Sequence, residues 1–498
     1  MTVAALLALT VGAACMQPRA SDSADPTTPR ARPEEDASSA RPGQARPTED
    51  PASEDGCRTA PPRRRPAGDR PRYRLWVHVG PARAVVTGRL RVGFTPDLPT
   101  DRLVFRLWPN GPRPASSGAS LTTGSVTAAG RALPSARPDP TTLVVRLGRR
   151  LRPGDHVTVA MPWRLRVPRG VPDRLSVTGD AVRLGSFFPL LAWESGRGWA
   201  TDPPTTSFAE ASSSPAADFN VTVSAPPGDR VLASGWSPGG AGTALRPGRA
   251  RSAFALRPGR AWSAWRARGV RDFALAVGRF VTASRTVKLG HPITVVVGVK
   301  RGLTVSPHPF LDKIAGALRD LSRRYGPYPW ETLSLAVMPS LGQAGIEYPS
   351  MIFQGSDSLD WATVHEVAHS WFYGLVGNNQ ARHPWLDEGI TSWAQARADD
   401  MLEWYESYPV PPAARGRLGR PMTFWDRRSQ HYFAGVYVAG VKALAALGRP
   451  ELVDCALRSY VAAHSYRIAR PRDLVGALAR VRPRAPEVLD RFGVRVAP

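Results

Sequence analysis

The feature that most narrows the possible folds is a change of hydrophobic period near residue 290. From Tyr73 onward apolar side chains recur at every second position in short runs: Tyr73 to Val79, Arg89 to Phe94, Leu103 to Trp108, Thr142 to Leu147, His156 to Val159, Asn220 to Val223 and Asp272 to Val277. Turn-forming Gly, Pro, Asp and Asn separate them. Alternation of this kind buries one face of a pleated strand and wets the other, so residues 73–287 read as an antiparallel β domain. His291 to Val297 reads as one more strand. The period then lengthens. Phe310, Leu311, Ile314, Leu318 and Leu321 fall on one helical stripe, and further helices are expected over about 359–376, 384–404, 432–447, 451–463 and 472–480. A strand-rich part followed by a helix-rich part, residues 288–498, is an α+β multidomain chain.

The segment before the β domain has a different character. Val3 to Ala14 is a run of twelve small and aliphatic residues, too short for a membrane span, which takes about 20. It reads as the core of a signal peptide over residues 1–15. Gly12-Ala13-Ala14-Cys15 resembles a bacterial lipobox, which implies export and a lipid on Cys15 anchoring the protein at the membrane; secretion after ordinary cleavage is the other outcome. Residues 16–72 carry Pro, Arg, Ser, Asp, Glu and Ala with almost no large apolar side chains. Such a segment cannot offset its ordering entropy by burial, so a disordered tether is expected. Cys57 and Cys455 lie far apart in contrasting surroundings and are not expected to pair.

The charge balance is strongly basic, 66 Lys+Arg against 41 Asp+Glu for +25. Lys288, Lys300, Lys313 and Lys442 are the only lysines, and there are 50 prolines. An arginine excess of this kind fits GC-rich coding as well as it fits an anion-binding surface. Its distribution is more telling: residues 73–289 carry +19 and 402–498 carry +8, whereas 290–401 carry −3. No helix-turn-helix, zinc-finger or other nucleic-acid motif accompanies the basic segments, so nucleic acid is not expected as a partner.

The acidic segment holds the chemistry. In His365-Glu366-Val367-Ala368-His369 the two histidines are four residues apart, and on a helix they project about 40° from each other and can share one metal ion. Ser358 is a suitable N-cap, Asp360 suits the first turn, and Gly377-Asn378-Asn379 offers a stop. Two histidines on a helix surface would be the bland alternative. A tetrahedral catalytic metal needs a third protein ligand. Glu388 follows His369 by nineteen residues on the next expected helix, which Pro384 could start. Two antiparallel helices joined by a short loop would bring its carboxylate to the histidines.

The span His365 to Gly389, with Trp371 two residues after the second histidine, resembles the aminopeptidase N family of gluzincin zinc metallopeptidases, which includes the leukotriene hydrolases. Ala344-Gly345-Ile346-Glu347-Tyr348-Pro349 is similar to that family's GxMEN exopeptidase motif in its GGMEYP form, and Tyr325-Gly326-Pro327-Tyr328-Pro329 to the segment ahead of it. The resemblance covers most of 73–498. It implies an N-terminal antiparallel β-saddle or sandwich domain followed by a thermolysin-like, mainly helical catalytic domain. It also implies one Zn2+ per chain held by His365, His369 and Glu388, with Glu366 as general base. Gly345 and Glu347 would bind substrate, Glu347 taking the free α-ammonium of the peptide. The family's oxyanion-supporting tyrosine has two candidates in Tyr432-Phe-Ala-Gly435 and Tyr437-Val-Ala-Gly440; Tyr437 is preferred because it opens the long apolar helix.

This chain departs from the family pattern in places. Ile346 replaces the motif's Met, Tyr348 its Asn, and Ala439 the usual Lys before the second Gly. The family's DEP-type motif is missing from Phe187 to Glu194, where Glu194 is a possible second amine contact. The chain ends about 110 residues after Glu388, which is too few for the large helical C-terminal domain of longer relatives, so a more open cleft is expected. The resulting expectation is a monomeric zinc aminopeptidase acting on peptides with a free N-terminus. The competing expectation is a surface binding or scaffold protein that kept the fold and lost turnover.

Overall fold

Alternating burial is realised strand by strand. In Arg72–Val79 the residues Tyr73, Leu75, Val77 and Val79 are buried while those between are exposed or half-buried. The structure, a computed structural model, describes residues 60–207, 213–242 and 261–496. Its largest sheet runs in the order Ala261–Val270, Ala217–Ala225, Arg72–Val79, Val85–Phe94, Val157–Arg166, with short strands beyond. One junction corrects the antiparallel expectation: Arg72–Val79 and Ala217–Ala225 are parallel, with Tyr73 opposite Phe219. Alternation has the same period in either direction, so only the long intervening excursion hints at a parallel pair.

A smaller sheet matters more for the site. Leu175–Thr178, Ala181–Leu184, Leu275–Gly278 and Arg230–Ala233 pair in that order, and the chain flanking its strands supplies Arg174, Gly185, Ser186 and Asp272. The second part is built on a five-stranded sheet ordered Phe280–Leu289, His291–Lys300, Thr332–Val337, Met351–Gln354, Gly345–Tyr348. The boundary drawn at 287 runs through its first hairpin, because Phe280 to Leu289 pair continuously with His291 to Lys300. Gly345–Tyr348 is the antiparallel edge strand, which places Glu347 at the rim. Helix Pro307–Tyr325 buries Phe310, Leu311, Ile314, Leu318 and Leu321, as its stripe predicts.

Helix lengths differ from the expectations in three places. The histidine helix is Leu359–Ala368 and stops eight residues short of 376. Beyond it Gly374, Leu375 and Val376 donate to carbonyls five residues back, and Tyr373 takes φ 141°, a conformation few side chains adopt. The expected 384–404 helix breaks into a tight turn Pro384–Leu386, helix Glu388–Ala398 and helix Leu402–Ser407. The expected 432–447 helix opens with a π-helical turn, Phe433–Val438, before Ala439–Ala445.

Residues before the β domain also correct the sequence reading. The tether expected over 16–72 is docked from Ala60 onward: Arg64 N donates to Ala462 O at 3.1 Å and Arg63 to Pro327 O. Cys455 is disulfide-bonded; the expectation that Cys57 and Cys455 do not pair falls on Cys57, which lies outside the described residues, as do Cys15 and the signal segment. No described helix is long and apolar enough to cross a membrane.

Asp454 ties these helices together. Its carboxylate accepts from Arg324 at 2.8 Å, Tyr325 at 2.9 Å, Trp393 at 2.9 Å and Arg397 at 3.0 Å, linking three helices. Asp454→Asn leaves two partly buried guanidinium groups short of charge, so we expect a loss of about 2 kcal/mol, read from urea denaturation followed by tryptophan fluorescence.

Candidate active site

The histidine helix delivers its first ligand directly, and the second sits at the C-cap. His369 has φ −57° and ψ −16°, still helical, so the four-residue spacing brings the rings together. His365 Nε2 lies 3.1 Å from His369 Nε2 and 3.1 Å from Glu388 Oε2, and His369 Nε2 lies 3.5 Å from Glu388 Oε2. For metal bonds of about 2.05 Å the edge of a tetrahedron is about 3.3 Å, so the three atoms describe one face of such a site. All three residues are buried, at 8%, 2% and 3% exposure. Apart from this centre and the adjoining Glu347, Glu366 and His369, no other group of three metal-ligating side chains comes together among the described residues.

The outer ring nitrogens are anchored as a metal site requires. His365 Nδ1 is 3.2 Å from Gln395 Oε1, and Gln395 Nε2 donates to Trp361 O at 2.6 Å, which fixes the amide's orientation. His369 Nδ1 is 2.9 Å from Asp387 Oδ1, while Gln380 donates to the other Asp387 oxygen. Each ring therefore carries its proton on Nδ1 and turns the Nε2 lone pair inward. Burial disfavours charge on His369, but Asp387 and Glu388 outweigh it and raise the imidazole's pKa. Burial pushes Asp387 up to about 6 against the pull of His369. Sequence reading missed Asp387, Gln380 and Gln395. A signal existed for two of them, since Asp387 adjoins Glu388 and Gln395 lies two helical turns beyond it.

Glu388 opens its helix, and the next residue lets another helix press close. A Cβ on Gly440 would sit 2.5 Å from Gly389 Cα, so the two backbones touch where the tyrosine segment crosses. In an α-helix residues five apart diverge by about 140°, whereas in a π-helical turn they return to nearly one face. This brings Tyr432 and Tyr437 together, ring centroids 5.7 Å apart. Tyr437 also stacks on His365, at 5.7 Å and 13°, while Tyr432 packs behind it on Trp425.

Glu366 lies in a notch made by a missing side chain. A Cβ on Gly345 would meet Glu366 Cγ at 2.3 Å and Cδ at 2.4 Å, so the edge strand and the histidine helix are in register only with glycine there. Glu347, Glu366 and His369 have ligand atoms within 4.8 Å of one another. Glu347 Oε1 and Glu366 Oε2 are buried and accept no hydrogen bond among the described residues. Glu194 is not in this group: its carboxylate accepts from Asn379 and from Ser213 at 3.2 Å.

No protein-family model matches the chain. Rat aminopeptidase B is 38% identical over 100 residues, covering 19% of this chain and 15% of that one. Leukotriene A-4 hydrolase from Xenopus laevis is 36% identical over 84 residues, 16% and 14% of the two chains. The matches thus span less than a fifth of those relatives' length. A solved M1 zinc metallopeptidase from Deinococcus radiodurans shares the fold over 86% of this chain and 95% of its own, with TM-score 0.63 and 21% identity. The chain has the fold of the M1 zinc metallopeptidases. A mutant of that Deinococcus enzyme bound to the substrate Tyr-Ser-Ala aligns equally, with TM-score 0.62 and 22% identity. The M1 fold accounts for both halves of this chain, the N-terminal β domain and the helical domain that carries the histidines.

The notch at Gly345 is testable on structure alone. Gly345→Ala brings a methyl group within contact distance of Glu366, so its carboxylate should move by about 1 Å with His365, His369 and Glu388 unmoved. A crystal structure of the variant with Glu366 in place would remove this role from Gly345.

Proposed function

We propose that this protein is a zinc-dependent aminopeptidase that removes N-terminal residues from peptides. The observation that carries the reading is the pairing of a His/His/Glu face with two buried carboxylates, Glu366 and Glu347, at its margin. His365, His369 and Glu388 would hold one zinc ion per chain. When bound, zinc supplies a Lewis acid that polarises a carbonyl and lowers the pKa of a water to about 7.

The remaining roles belong to the chain's own side chains. Glu366 takes the proton of the attacking water on its carboxylate and passes it to the leaving amine. Glu347 receives the substrate's α-ammonium, a charge-assisted contact that only a free N-terminus can make. Tyr437 donates its phenolic proton toward the oxygen of the scissile carbonyl as negative charge gathers there. Its stacking on His365 supports this choice over Tyr432. Peptide recognition by an M1 fold is supported by the Deinococcus structure with Tyr-Ser-Ala. The scaffold reading has no observation in its favour, since the ligands and both carboxylates are present.

We further propose that the protein is exported and acts as a monomer at the cell surface, held by a lipid on Cys15. The apolar run Val3 to Ala14 supports this reading. Mass spectrometry of the membrane fraction, finding a diacylglyceryl Cys15 as first residue, is the check.

Three outcomes test the catalytic reading. Glu366→Gln should keep its metal and lose turnover by about 10²-fold or more; near-normal turnover removes the general-base role. Chelation should abolish cleavage of aminoacyl fluorogenic substrates, and N-acetylation of those substrates should do the same with the enzyme untouched. Tyr437→Phe should lower kcat by about 10²-fold while Tyr432→Phe changes it little, and the reverse order moves the role to Tyr432.

A further inference from the structure

The group that pairs with Glu347 is a cation from the other domain. Arg174 stands at the head of strand Leu175–Thr178, and its guanidinium nitrogen lies 3.5 Å from Glu347 Oε1, with 21% of the arginine side chain and 6% of the glutamate exposed. The arginine is held in place by the neighbouring motif residue. Its Cζ lies 5.6 Å from the centroid of the Tyr348 ring, and Nη1 is 3.4 Å from the Tyr348 hydroxyl.

Tyr348 is gripped in turn by the β domain. A Cβ on Gly185 would lie 2.1 Å from the Tyr348 hydroxyl, so that glycine is the space the phenol occupies. Ser186 Oγ is 3.3 Å from the same hydroxyl and donates to Asp272 Oδ2 at 2.7 Å. Asp272, Ser186, Tyr348, Arg174 and Glu347 thus form a continuous polar chain from the β domain into the site.

The geometry gives Glu347 two competing uses. Its carboxylate is near enough to His369 and Glu366 to be drawn toward a cation in the metal centre. A carboxylate spent there cannot receive a substrate ammonium. A guanidinium with rigid, planar donors beside it restrains one oxygen and keeps the carboxylate at the rim.

We propose that Arg174 is a positioning residue for amine recognition: it holds Glu347 toward the substrate's ammonium and away from the metal centre, so that the β domain sets the exopeptidase contact. This inference rests on the aminopeptidase reading above. It assigns a function to Tyr348, whose hydroxyl and ring orient the arginine.

The test is steady-state kinetics of the full chain on one aminoacyl fluorogenic substrate and its N-acetyl counterpart, for wild type, R174Q, R174K and Y348F. R174Q should raise KM for the free-amine substrate about tenfold, lower kcat by less than that, and reduce the preference for the free amine. Its metal content and thermal midpoint should stay near wild type. R174K should recover part of the KM, and Y348F should shift it in the same direction by a smaller factor. The inference is overturned by an unchanged KM and preference in R174Q, by a loss confined to kcat, or by an unfolded R174Q beside R174K and Y348F with wild-type KM. A wild type that cleaves neither substrate overturns the aminopeptidase reading and this inference with it. A selective wild type whose R174Q variant keeps its KM overturns this inference alone.

Discussion

Four acidic side chains, Glu347, Glu366, Asp387 and Glu388, are buried within one small volume, and the rest of the site follows from the need to balance them. Buried carboxylates that crowd together are costly unless cations or donors meet them. Each has a distinct answer. Asp387 is met by the imidazole of His369 and the amide of Gln380. Glu388 faces both histidine rings, whose Nε2 atoms share with it the face where a divalent cation fits. Glu347 is met by Arg174. Glu366 keeps one oxygen without a hydrogen bond, which leaves it available to a water and its proton.

Close backbone approach makes this crowding geometrically possible. Gly345 admits Glu366 beneath the edge strand, and the Gly389–Gly440 contact sets the distance between the helix that starts at Glu388 and the one that follows Tyr437. Both are positions where a single methyl group would separate a catalytic candidate from the metal face. The π-helical turn acts in the same sense, turning Tyr437 onto His365 while a regular helix would have directed it elsewhere.

What the sequence made legible was local, periodic or spaced along one helix. The i, i+4 histidines, the carboxylate on the following helix, the stripe of Pro307–Tyr325 and the strand alternation all follow from geometry that neighbouring residues carry themselves. What it hid depends on contact between distant segments. Nothing near Tyr73 tells that its strand pairs in parallel with one about 140 residues on. The histidine helix stops at Ala368, and the carbonyls of Tyr373 and Leu375 beyond it are taken by Arg271, far upstream. Arg174 carried no motif at all, and only the fold brings it to Glu347. Nor does anything near Glu194 foretell that its carboxylate accepts from Asn379 and Ser213.

The arginine excess takes on a structural meaning in this light. Arg271 is buried without a carboxylate partner among the described residues; it donates to the carbonyls of Ser214 at 3.1 Å, Tyr373 at 3.0 Å and Leu375 at 3.3 Å, and to that of Arg467. Burial lowers its pKa to about 10, so it stays charged. Arg183 does the same with the carbonyls of Asp173 at 2.6 Å, Pro339 at 3.2 Å and Val171. A lysine has three donors on one nitrogen and could not span such sets, whereas the guanidinium fork reaches several carbonyls at once. These arginines come from the segment with the +19 excess, and both reach carbonyls beyond residue 330 as well as within their own domain. Part of the basic charge of the β domain is therefore internal mortar at the junction with the part of the chain that carries the histidines. Arg174 extends that pattern by one step, from carbonyls that need only a donor to a carboxylate that needs to be held in place.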